Sequence, residues 1–122
     1  MGKGYLSLVL HAHLPFVRHP EYEEFLEERW FFEALTETYM PLLSVFEGLV
    51  KDKVDFQLTM NISPSLCAMM ADELLKDRYV GYLDKMIELC DKEVERTRFS
   101  PAFHKLALMY YYRFSQTKER FV

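Results

Sequence analysis

Cysteine is nearly absent from this chain: 122 residues hold two, Cys67 and Cys90, and no C-x-x-C unit. Both fall in stretches of helical spacing, so buried reduced thiols are expected in place of a disulfide framework. Charge of one sign is not in excess either. Fifteen Lys and Arg stand against nineteen Asp and Glu, for a net charge of −4. The basic residues are scattered and form no stripe among aromatics, which sets a nucleic-acid partner aside. No run approaches the roughly 18 apolar residues that span a bilayer. The one apolar run in the first ten residues is too short for a signal peptide, and Leu6 stands where a myristoylation signal needs Ser or Thr. A soluble, cytoplasmic chain with no membrane partner is expected. Neither internal repeats nor low-complexity segments occur.

What is present is enough apolar material for one core. Half the residues are hydrophobic and 16% are aromatic, and the length allows one domain at most. Residues 5–11 are almost continuously apolar, as buried parallel strands are. Residues 55–62 alternate Phe56, Leu58, Met60 and Ile62 with Gln57, Thr59 and Asn61, the period of a second strand. Between them, apolar residues recur at helical spacing over 27–51, with Pro41 predicting a kink or two abutting helices. Ser63-Pro64 reads as a cap followed by proline at the first helical position, opening a helix to about Lys76. Further helices are predicted over 78–97 and from Ser100-Pro101 onward. The order is β-α-β-α-α-α. Two parallel strands leave edges and a face to be covered by others, so the chain reads as an incomplete α/β unit. Self-association, or dependence on a missing C-terminal partner segment, is expected.

His11-Ala-His13-Leu-Pro15 follows the first strand directly. Residues two apart share a strand face, so both imidazoles are expected on one side of its C-terminal end, where barrels and open α/β folds place substrate. The run from His11 to Pro20, then Phe25-Leu26-Glu27-Glu28 and Trp30 to Ala34, resembles the N-terminus of glycoside hydrolase family 57. The likeness is greatest to its 1,4-α-glucan branching-enzyme and α-amylase-like subset, and it extends through Glu37 to Leu43 and Leu58 to Pro64.

The resemblance implies that residues 1–122 form the N-terminal portion of a (β/α)7 barrel, a partial domain of an enzyme acting on α-glucans. Such enzymes retain anomeric configuration through a glutamate nucleophile and an aspartate acid/base. Both lie downstream of the matched region, so no catalytic residue is assigned here and the isolated chain is expected to be inactive. The resemblance places His13 at the sugar-binding cleft, with His11 before it on the same strand face. Neutral imidazole can donate to one hydroxyl and accept from another. Trp30 is a candidate platform for a sugar ring. The substrate-binding candidates are therefore His11, His13 and Trp30, with an α-glucan as partner.

Plainer readings stand beside these. Strand-end histidines often satisfy local backbone groups, and a tryptophan is more often core than platform. An H-x-H pair also begins some metal-dependent barrel hydrolases, but His19 and His104 lack ligand spacing, so no metal and no cofactor are expected. The acidic run Glu21, Glu23, Glu24, Glu27 and Glu28 reads as a solvated loop and a first helical turn favourable to its dipole. Met60, Met69, Met70 and Met109 read as packing, and the rings of Tyr110 to Tyr112 as divided between core and surface. The alternatives to a glucan enzyme are a fragment of a metal-dependent hydrolase and a helical interaction module without catalysis.

Overall fold

The computed structural model describes residues 4–122. In chain order it contains β1 (Val9–Ala12), α1 (Glu28–Ala34), a π-helical turn (Leu35–Tyr39), α2 (Met40–Lys51), β2 (Thr59–Ile62), α3 (Pro64–Ala71), α4 (Glu73–Arg96) and α5 (Pro101–Phe121). The result is a mixed unit, mostly helical, with one parallel sheet of two strands. Val9 pairs with Thr59, Leu10 with Met60, His11 with Asn61 and Ala12 with Ile62. Each strand is half the predicted length. Residues 5–8 and 55–58 lie outside the ladder.

The expected break near Pro41 takes the form of a widened turn. The Met40 amide bonds back to the Leu35 carbonyl, five residues away, and Pro41 supplies no amide to continue an α-helical ladder. A π turn absorbs the mismatch without severing α1 from α2. The helix expected to run from Pro64 to Lys76 stops at Ala71. Asp72 is extended, and its carboxylate accepts the Leu75 amide as the cap of α4. This cap was missed because the apolar spacing continues straight across it.

Leu66, Met69, Leu75, Tyr79 and Leu83 are wholly buried and form the spine of the core. Phe31, Phe32 and Leu35 pack on it from α1 and the π turn, and Phe114 from α5. Four expectations about side chains divide here. Cys90 is buried, whereas Cys67 is exposed, because α3 turns Leu66 and Met69 inward. Met69 is core and Met60 and Met70 flank it, but Met109 is exposed. Tyr110 and Tyr111 pack against the core while Tyr112 faces outward. Glu28, read as part of a solvated run, is 1% exposed.

Tyr79 ties α4 to the π turn. Its hydroxyl and Thr36 Oγ1 lie 2.9 Å apart, and Thr36 also donates to the Phe32 carbonyl. The ring meets Phe121 edge-on at 4.8 Å. Burial pushes the Tyr79 phenol up to about 12, against a smaller opposing effect of the Thr36 hydrogen bond. The unfolded chain therefore ionises this phenol near its ordinary value of about 10, while the folded chain holds it neutral. The associated stability is fully present below that pH and is lost as pH rises toward 12. Burial raises Tyr82 and Tyr39 in the same direction. Tyr79→Phe should cost about 0.5–1.5 kcal/mol at neutral pH and should flatten, without abolishing, the loss of stability above about pH 10. Denaturant melts of both proteins at neutral and alkaline pH measure this. Parallel pH profiles would show that Tyr79 does not carry the alkaline sensitivity.

Candidate functional site

The two strands present opposite faces with opposite character. Leu10 and Ala12 turn toward the helices, with Ala12 2% exposed. Val9 and His11 turn the other way and are exposed, and His13, one residue past the strand, is exposed as well. Because His11 pairs with Asn61, their side chains leave the same face on adjacent strands. The imidazole and the amide thus stand side by side at the C-terminal ends of the sheet. Sequence reasoning did not single out Asn61. The signal was available in the Gln57, Thr59, Asn61 alternation, but only the register brings it to His11.

The four histidines separate into two kinds. His19 is occupied: Nδ1 lies 3.2 Å from Glu21, Nε2 lies 3.5 Å from Glu27, and the ring packs on Phe25 at 3.8 Å. His104 Nδ1 lies 3.1 Å from the Val94 carbonyl. His11 and His13 make no hydrogen bond or ion pair among the described residues, so their donors and acceptors remain available. Trp30 sits on α1 with about half its surface exposed. No ring pair or hydrogen bond of its side chain links it to the two histidines among the described residues. No group of three or more His, Cys, Asp or Glu converges as a metal site among the described residues.

The segment after His13 is a strap fastened along its length. Ser65 Oγ donates to the Leu14 carbonyl at 2.8 Å, and the Val17 amide donates to Met69 Sδ at 3.3 Å. Arg18 Nε meets Asp72 at 2.6 Å. Burial alone would raise the Asp72 carboxyl, but the Leu75 amide and the Arg18 guanidinium outweigh it and hold the group below its usual value. Farther along, Glu28 accepts the His19 amide at 3.0 Å and Arg78 Nη1 at 2.6 and 2.8 Å. Arg78 also donates to the carbonyls of His19, at 3.2 Å, and Tyr22. Long connections inside a compact domain are usually functional or mobile; the structure holds this one down at both ends. A recess of about 200 Å³ bordered by Phe25, Arg29, Phe32, Tyr82, Lys85 and Met86 lies nearby, but neither His11 nor His13 borders it.

Open α/β folds place ligands outside the carboxyl ends of their parallel strands, which is where His11 and Asn61 stand. Residues 7–121 match the model of glycosyl hydrolase family 57, and the chain belongs to that family. A 1,4-alpha-glucan branching enzyme of Thermococcus kodakarensis is 35% identical over 109 residues, 89% of this chain and 16% of that protein. The crystal structure of the alpha-amylase AmyC from Thermotoga maritima is similar with a TM-score of 0.86 and 48% identity, over 93% of this chain and 22% of that one. The branching enzyme of Pyrococcus horikoshii is similar with a TM-score of 0.86 and 31% identity, over 96% and 22%. The chain therefore spans about a fifth of the length of these relatives.

The strap makes a prediction about stability. Glu28 is buried and Arg78 partly so, with side chains 2% and 17% exposed. Removing one strands the other's charge, which costs about 3–5 kcal/mol. Arg78→Ala should lose stability of that order in urea melts. Lys85→Ala, whose partner Glu24 lies in solvent, should be close to neutral. Equal effects of the two changes would remove the strap's anchor from the accounting.

Proposed function

We propose that this chain is the N-terminal segment of a retaining α-glucan-processing enzyme, of branching or amylase type, and that His11 and His13 bind the glucan. The observation that carries the reading is the pair of available imidazoles at the C-terminal end of β1, beside Asn61, in a chain of this family. The activities named for its relatives agree with it, and the structure of the Thermococcus enzyme, 31% identical, contains glucose. Imidazole and carboxamide each offer a donor and an acceptor, which matches vicinal sugar hydroxyls. Trp30 would stack on a sugar ring from α1.

On this reading the two strands open a (β/α)7 barrel whose remaining strands come from further residues of the same enzyme. The apolar exposure of Leu8, Val9 and Ile62 supports such a covering. Without it, these surfaces favour self-association. The cleaving carboxylates also belong to that remainder, so the isolated chain binds but does not turn over. Among the described residues, no helix is long and apolar enough to cross a membrane.

Maltoheptaose titrated into the chain, followed through the histidine ring resonances, tests the reading. The His11 and His13 signals should move, and those of His19 and His104 should stay. His13→Ala should weaken binding by about 1–3 kcal/mol, and amylose should survive incubation with the chain by iodine staining. Unmoved His11 and His13 signals would remove the glucan site. Amylose breakdown above a heat-killed control would show that catalytic carboxylates lie within these residues.

A further inference from the structure

The hydrogen bonds around His13 have a direction that their geometry and the proton count together determine. The peptide preceding His13 is held by the Ser63 amide, which donates to the Ala12 carbonyl at 3.0 Å. The next carbonyl beyond His13, that of Leu14, is held by Ser65 Oγ at 2.8 Å. Ser63 and Ser65 hydroxyls lie 3.1 Å apart, and Ser63 Oγ accepts the Leu66 amide at 3.3 Å. A serine hydroxyl has one proton to give. Ser65 gives its proton to Leu14, so in the bond between the serines Ser63 must be the donor. The order is then Leu66 N–H to Ser63 O–H to Ser65 O–H to the Leu14 carbonyl, a single chain in which each bond polarises the next.

We propose that Ser65 is a positioning residue for His13: it anchors the backbone immediately after the histidine and so sets the direction of the imidazole over the strand ends. Two independent anchors bracket His13, one from each end of the Ser63-Pro64-Ser65 corner. Pro64 occupies the first helical position between them, and its ring limits the backbone there. The corner is therefore a stiff mount fixed to β2 through Ser63 and to α3 through the Leu66 amide. Ser65 does not itself reach toward substrate in this inference. Its part is to keep the imidazole from sampling other directions. The consequence for sugar binding rests on the glucan reading above, whereas the consequence for the ring does not.

The experiment compares Ser65→Ala and Ser65→Thr with the unaltered chain. Alanine is a strong helix former and retains α3, so the far-ultraviolet circular dichroism should be unchanged. Threonine keeps the hydroxyl. In Ser65→Ala the His13 ring resonance, assigned by its loss in His13→Ala, should shift or broaden while that of His104 stays, and Ser65→Thr should return it. Maltoheptaose binding should weaken about three- to tenfold in Ser65→Ala and recover in Ser65→Thr. An unmoved His13 signal in Ser65→Ala overturns the proposal, as does a displaced signal that Ser65→Thr fails to restore. If Ser65→Ala loses helical content, Ser65→Thr decides alone: a native His13 signal supports the proposal and a displaced one overturns it. An unaltered chain that does not bind maltoheptaose overturns the glucan reading only, and the ring signal still decides whether Ser65 positions His13.

Discussion

The buried pair of Glu28 and Arg78 is the constraint on which the rest of this structure depends. It joins the first turn of α1, the strap after β1 and the N-terminal half of α4 at one point. A carboxylate taken out of water is tolerable only with its lone pairs occupied. Here Arg78 and the His19 amide occupy them. The same guanidinium closes on two strap carbonyls, so satisfying one charge also fixes the course of the chain. With residues 19–22 held there, Arg18 held by Asp72 and residues 14–17 held by Ser65 and Met69, little freedom remains in the segment that carries the histidines' neighbours.

Legibility in the sequence followed the range of the interaction. Strand and helix periodicity are local, and they located both strands, the long amphipathic segments and the cap at Ser63. Pro41 announced its disturbance because the missing amide is a property of one residue. Three features were hidden because each is defined by a partner more than 40 residues away. Glu28 looks like its solvated neighbours until Arg78 meets it. Asn61 is one polar residue of an alternating strand until register sets it beside His11. Ser65 is an ordinary first-turn serine until the Leu14 carbonyl reaches it. Asp72 is a different case: it is a local cap, concealed by apolar spacing that continues across the junction of α3 and α4.

The family resemblance carried on the His11 to Pro20 segment agrees with a family match over residues 7–121, while composition alone would have stopped at a mixed α/β unit. The two sources of argument differ in reach. Residue chemistry explains why strand-end imidazoles can hold a polyol, and the glucan proposed for them comes from the activities named for the relatives. The choice between branching and hydrolysis is made by groups that meet the acceptor, water or sugar.

Geometry also supports the proposal that the two strands act together with other elements. Adjacent strands lie about 4.8 Å apart, so on the proposed glucan reading His11 and Asn61 would address hydroxyls separated by roughly one sugar edge. That spacing suits holding a ring from one side. Cleavage with retention requires two carboxyls about 5–5.5 Å apart on opposite sides of the scissile bond, and two neighbours on one sheet face cannot supply opposite sides. On the proposed reading, the exposed face of this sheet is one wall of such a site. On the proposed reading, that chemistry would require a second wall facing the first.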